Sequence, residues 1–221
     1  MKNHGDFTSL SAFESWLTSH NVSSGTPTDI QIGDFFSIMN GSYLITIAGI
    51  DTELKKGNAP LTSHHITGIV YVGKYTMNST NTTVGGYAGS VMNNTVLPNK
   101  EAEFSSIFGS HLLNRRVCLT NQIGSDGKSN RYDWYDKLMT LMSEQQLYGS
   151  IQFGNQFDTG EAYEKLPIFD RIPVQLLFGR NSIWLRGINT AATFCCMSGA
   201  GLPSASGAAN TCTTIAVFCL G

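Results

Sequence analysis

The dipeptide Asn40-Gly41, set between the apolar runs 33–39 and 43–49, is the strongest local constraint in this chain. Asn and Gly both tolerate positive φ, and a tight turn in that conformation twists in the sense that lets its flanking strands pair. An antiparallel hairpin is therefore predicted over 33–49, with another strand at 66–72. Four later runs, 115–121, 182–186, 193–197 and 213–220, are equally short and apolar, so sheet is expected to dominate. Ser125-Asp126-Gly127 reads as a turn.

Helices are expected around that sheet. Residues 8–20 place Leu10, Phe13, Trp16 and Leu17 at helical spacing, and Ser11 with Glu14 suits a capping box. The stretch 21–29, with Ser23, Ser24, Gly25 and Pro27, reads as a linker. Residues 1–30 thus form an arm and linker, and 31–221 the main domain. The arm's helix has two possible fates, docking on a partner subunit or folding back on its own domain. Further helices are predicted at 87–97, ending at Pro98, and at 101–108, ending at Gly109. A longer one is predicted at 133–146, where Trp134, Leu138, Leu141, Met142 and Gln145 form a stripe and Gly149 follows. Met139 and Met142 read as core packing. The fold class expected from these elements is α+β.

Two polar stretches read as loops. Residues 51–63, with Lys55, Lys56, Gly57 and Pro60, form a surface loop, and 154–180 is irregular. Residues 198–211 consist almost wholly of Ser, Gly, Ala, Pro and Asn, and read as a long exposed loop of the kind on which binding function concentrates.

Charge and cysteine usage narrow the function classes. Only 14% of residues are charged and the net charge is −2, with no basic run to neutralise phosphates, so nucleic acid is not an expected partner. No apolar run approaches the roughly 18–20 residues needed to cross a bilayer, and the polar start lacks the apolar stretch of a signal peptide. A soluble chain made in the cytoplasm is expected, without membrane insertion. Cys118, Cys195, Cys196, Cys212 and Cys219 are odd in number and lack paired zinc-ligand spacing; Cys195 and Cys196 would point to opposite faces of a strand. They read as buried free thiols. His64 and His65 diverge for the same reason, one of them buried and hydrogen-bonded. Asp158, Glu161 and Glu164 read as a solvated loop, and no metal site or cofactor is expected.

Several short motifs recur here in a familiar order. They run from Met77-Asn78-Ser79-Thr80-Asn81-Thr82-Thr83 through Gly85-Gly86-Tyr87 and Gly89-Ser90 to Gly109-Ser110-His111-Leu112-Leu113. Arg115-Arg116-Val117, Leu119-Thr120-Asn121, Trp134-Tyr135-Asp136, Leu141-Met142, Glu144 and Leu147-Tyr148-Gly149-Ser150 follow. Leu166-Pro167-Ile168-Phe169 and Trp184-Leu185-Arg186 complete the series. Over residues 64 to 221 the chain resembles structural proteins of phages and prophages whose C-termini are similar to C-type-lectin-like folds. It departs from them at Gly187, where an acidic residue is common, and at Thr213-Thr214-Ile215-Ala216, where a Gly-Val-Arg-Pro-like motif is usual.

The resemblance implies a C-type-lectin-like domain behind a short helical arm, acting as a non-enzymatic virion protein. Capsid decoration or surface display is the first expectation, and a tail or baseplate protein recognising a host glycan or protein the second. Implied partners are major capsid or tail proteins and further copies of the chain, with a trimer as one implied arrangement. The resemblance directs attention to Trp184 and Arg186, which would share one face of a strand. They read either as a stacking and hydrogen-bonding site or as core. Asn189, Thr190, Ser198, Ser204 and Asn210 complete the candidate ligand-binding set. Formylglycine-generating oxidases share a related fold and use cysteines, which keeps a thiol enzyme as the remaining alternative. From Ser182 onward there is no Asp or Glu, so no calcium site is expected there.

Overall fold

The computed structural model describes residues 1–54, 61–159 and 165–221, and shows a mixed α+β chain that is mostly sheet. The predicted hairpin forms as β2 (Phe35–Ile38) and β3 (Tyr43–Ile50), with Ile38 opposite Tyr43. Its turn is longer than the two residues expected: Met39, Asn40 and Gly41 all have positive φ, and the Ser42 N–H closes the turn onto the Met39 carbonyl. β4 (Ile66–Tyr75) pairs with β3, and β12 (Cys212–Leu220), at the end of the chain, pairs along its whole length with β4.

β12 is the spine of the molecule. On its other side lie, in turn, the start of β9 (Ile183–Thr190), then β8 (Met139–Leu141), then β5 (Leu112–Leu113). β9 continues antiparallel into β10 (Thr193–Met197) and β11 (Pro203–Gly207). At the far edge β1 (Asn3–Phe7) joins β2 in parallel, giving ten strands in one sheet. All nine residues of β12 are buried, as expected of a strand covered on both faces.

Side chains alternate across this sheet and build a core on each face. Trp184, Ile188, Phe194, Cys196, Ala216 and Phe218 point to one, beneath α1 (Leu10–Ser19) and α2 (Leu97–Phe108). Ile183, Leu185, Cys195, Met197, Ile215 and Val217 point to the other, with Leu147 of α3 (Glu144–Tyr148) and Val174 of α4 (Val174–Phe178). Cys195 and Cys196 therefore diverge as their adjacency requires, and all five cysteines are buried thiols outside any disulfide.

Residues 1–30 contribute to this same sheet and core. Phe13, Trp16 and Leu17 are buried, and Phe13 packs edge-on against Phe108 of α2 at 4.7 Å. The arm's helix thus folds back on its own domain. Ser9 caps it, accepting from the Ala12 N–H, in place of the Ser11–Glu14 box.

Three expectations fail. The helix predicted at 133–146 is mostly strand: β7 (Ser129–Lys137) pairs with β6 (Arg115–Ile123), and only Glu144–Tyr148 is helical. The Ser125–Gly127 turn brings 129–137 back along β6, and alternating Tyr132 and Trp134 suit a ribbon whose partner is already in place. The break predicted at Pro98 does not occur. A π-helical turn, Met92–Val96, runs directly into α2. Its wider register relieves the clash between the proline ring and the preceding turn that would interrupt a regular helix. The exposed loop expected at 198–211 contains β11, whose five residues all pair with β10. Small side chains hid a strand there, because pairing is supplied by β10 and not by apolar patterning.

Candidate functional site

The three C-terminal strands form a meander, so its turns fall at two opposite ends. Thr193 stands opposite both Thr190 and Gly207, which puts Asn189, Thr190 and Asn210 at one end. Met197 stands opposite Pro203, which puts Ser198 at the other end, and Ser204 lies between them on β11. The seven candidate residues therefore do not form one site. Trp184 and Arg186 are buried within the fold. Trp184 donates its indole N–H to the Tyr75 carbonyl at 2.8 Å, and Arg186 lies close enough to Tyr87 to act on its hydroxyl electrostatically. Both occupy the same face, as expected, but that face is core.

The coherent surface is the end bearing Asn189, Thr190 and Asn210. It is assembled by residues 77–84, which the ligand-contact reading omitted. The N–H groups of Met77 and Asn78 both reach the Ala208 carbonyl at 2.9 Å, and the Thr83 N–H reaches the Ala191 carbonyl at 3.0 Å. Thr83 also donates its hydroxyl to the Thr190 carbonyl, and Asn81 accepts from the Ala209 N–H. Asn78 braces the segment from within by donating to the Thr82 carbonyl. Thr190 and Thr193 share a hydroxyl hydrogen bond at 2.7 Å. Two turns of the meander are thus clamped by one Asn- and Thr-rich strap. The strap and turns present uncharged amides and hydroxyls, with the Lys128 ammonium beside them at Asn189 and Val84 71% exposed at the rim.

Beneath this end lie two buried carboxylates. Asp158, expected on a solvated loop, is only 3% exposed. It accepts from the hydroxyls of Thr120 and Ser129 and from the N–H groups of Ile188 and Asn155. Burial raises its pKa, against the pull of these donors. Glu161 and Glu164, the other members of the expected cluster, lie outside the described residues. Glu144 accepts from the N–H groups of Gln152, Phe153 and Gly154. A Cβ added at Gly154 would lie 2.8 Å from Asp158 Oδ2 and 3.2 Å from Glu144 Oε2, so only glycine fits between them. Lys128 spans the same region, donating to the Phe153 carbonyl and to Asn189 Oδ1. These carboxylates organise backbone; nothing in the local sequence separates them from surface acids.

A second buried polar group is built from Glu53, Arg115 and His65. Of the surface loop expected at 51–63, Lys55, Lys56, Gly57 and Pro60 fall outside the described residues. Glu53 is buried and stands 3.6 Å from Arg115, which also donates to the Val217 carbonyl and to Thr140. His65, fully buried, accepts from the Glu53 N–H through Nε2 and donates from Nδ1 to the Ser63 carbonyl. Burial depresses its pKa. His64 is partly exposed and pairs with Asp51.

Burial raises the pKa of each C-terminal thiol, Cys196 to about 11 and Cys219 to about 12, with Cys195 and Cys212 shifted the same way. Among the described residues no three His, Cys, Asp or Glu side chains are grouped so as to hold a metal ion. A cleft of about 270 Å³ lies between Tyr71, Lys74, Leu177, Phe178, Asn181 and Thr213, and none of the seven candidates lines it. No family model matches the chain, and no curated protein or solved structure matches it either.

Proposed function

We propose that this chain is a structural protein of a bacteriophage virion, a capsid-decoration or surface-display protein with a C-type-lectin-like fold. The observation that carries the reading is the ordered motif series from Met77 to Trp184. Much of that series serves as scaffold. Asn78 and Thr83 strap the turns, and the Tyr87 hydroxyl accepts from the Leu141 N–H. A Cβ at Gly86 would meet the Thr120 carbonyl oxygen at 2.3 Å, which accounts for the glycine. A framework of this kind suits rigid presentation of one end of a sheet on an assembled particle.

The proposed partners are major capsid or tail proteins and further copies of the chain, with a trimer as one proposed arrangement. The protein is proposed to be made in the bacterial host cytoplasm and to reside in the virion. The amide- and hydroxyl-rich surface around Asn81, Asn189, Thr190 and Asn210, with Lys128 beside Asn189, favours the second reading, a tail or baseplate protein recognising a host glycan or protein. Amides and hydroxyls without net charge are suited to hydrogen-bonding a neutral sugar. Cysteine chemistry of the formylglycine-generating type has the least support, because a reactive thiol needs an accessible, electropositive setting and a lowered pKa.

Quantitative mass spectrometry of purified particles tests the proposal. Hundreds of copies per particle are expected for decoration, and a handful at the tail tip for receptor binding. Absence from particles would overturn both.

A further inference from the structure

Among the described residues β1 and β11 end the main path of the ten-stranded sheet, and these two edges differ in a way that matters for association. β1 carries His4 and Asp6, pairs in parallel with β2 and has a shifted register between Asn3 and Asp6. Charges and irregular register are how edge strands resist pairing with another chain. β11 has neither: its sequence is Pro-Ser-Ala-Ser-Gly, and all five residues run in unbroken register with β10.

The backbone of β11 shows which groups face outward. The Ser198 N–H donates to the Leu202 carbonyl at 2.8 Å, and the Ala208 N–H to the Ala192 carbonyl at 3.0 Å. Hydrogen-bonded and non-bonded pairs alternate along an antiparallel ladder, so Ser204 and Ser206 also direct their backbone groups at β10. Pro203, Ala205 and Gly207 direct theirs at the free edge. Pro203 has no N–H to offer there, and the Gly207 carbonyl is already occupied by the Asn210 N–H at 2.8 Å. What remains is the Pro203 carbonyl, both backbone groups of Ala205, and the Gly207 N–H.

We infer that β11 pairs antiparallel with β11 of a second copy of this chain, about a two-fold axis at Ala205. In that register each Ala205 N–H meets the other copy's Ala205 carbonyl, and each Gly207 N–H meets the other copy's Pro203 carbonyl. The donor that Pro203 lacks falls opposite the Gly207 carbonyl, which needs none. The match is self-complementary, as a two-fold contact requires, and with no charged side chain on the strand no like charges are opposed. Ser and Ala side chains leave room for close approach on both faces. The pairing is read from backbone geometry and stands apart from the virion proposal.

The test uses the full chain. Sedimentation from about 10 μM to about 1 mM is expected to show a monomer–dimer equilibrium, weak because one short edge buries little area. Ala205→Pro removes the central N–H without touching a bond to β10, and is expected to weaken association at least about tenfold. Residue-resolved hydrogen exchange on the unaltered chain gives a readout that needs no variant. The amides of Ala205 and Gly207 are expected to gain protection as concentration rises, while those of Ser204 and Ser206 are protected throughout. A chain that stays monomeric over this range overturns the inference. So does any oligomer, a trimer included, in which the Ala205 and Gly207 amides exchange freely. Concentration-dependent protection supports it even if Ala205→Pro does not fold.

Discussion

Asp158 accepts the Ile188 N–H at 3.1 Å, and this bond joins a short helical turn to the strand that leads into the neutral end of the sheet. The same carboxylate holds Thr120 of β6 and Ser129 of β7. One buried side chain therefore ties the two-stranded ribbon to the main sheet.

Replacing that carboxylate is expected to be severe. Asp158→Ala leaves several buried donors without their acceptor, and a loss of about 3 kcal/mol or more is expected in chemical denaturation. Asp158→Asn keeps one acceptor oxygen and should lose clearly less. Equal losses for the two variants would mean that packing, and not hydrogen bonding, is what Asp158 supplies.

Acid is expected to destabilise the fold from near neutrality downward. His65 is held neutral because both ring nitrogens are committed, and burial lowers its pKa from 6.5. His4, packed against Trp16 and Asp34, is shifted the same way, first by burial. The unfolded chain therefore binds more protons, so this stability is complete above pH 6.5 and is lost as pH falls through the folded-state pKa values. Melting temperatures measured between pH 8 and pH 5 should fall toward acid, and His65→Gln should flatten the slope. A profile with no decline over that range would contradict this assignment.

Burial of all five thiols, with the raised pKa of the four C-terminal ones, should keep them inert. Ellman's reagent is expected to label almost none of the five cysteines at pH 8 in the folded chain and all of them in guanidinium. Rapid labelling of Cys195 or Cys196 in the native state would restore the thiol-enzyme alternative.

Trp184→Phe removes the indole N–H that reaches the Tyr75 carbonyl and should cost about 1–2 kcal/mol, while Trp184→Ala should cost about 3–5 kcal/mol. Both are measurable by urea denaturation. Because the side chain is core, neither variant should alter binding to host cells once the comparison is made at equal folded fraction.

The surface strap gives a cleaner separation of fold from recognition. Asn81→Ala loses only the acceptor for the Ala209 N–H, and about 1 kcal/mol is expected. If this end grips a glycan, Asn189→Ala and Asn210→Ala should weaken adsorption in a glycan-array or cell-binding assay even at equal folded fraction, beyond the roughly 1 kcal/mol of stability lost with each hydrogen bond to Lys128, Thr193 or Ser206. Unchanged adsorption would leave this end a purely structural one.

Much of the strand inventory was legible because it is local. Val70 and Ile69, or Cys195 and Cys196, face opposite cores for no reason beyond the two-residue repeat of a strand. Positive φ at Asn40 and Gly41 is likewise local, since Asn tolerates the left-handed region and Gly has no Cβ to oppose it. Misreadings arose where a distant partner decides. Trp134 fits a helical stripe equally well on paper, and it is strand because Cys118 lies opposite it.

The α+β character, the apolar runs that become core strands and the burial of the cysteines could all be read from the chain, since each depends on near neighbours within it. Tertiary structure alone decided that β12 stands at the centre, that residues 203–207 form an edge strand, and that Asp158 is a hub while Trp184 and Arg186 are interior. Those outcomes rest on pairings between residues far apart in sequence. A side chain carries no record of which carbonyl or N–H the folded chain will bring to it.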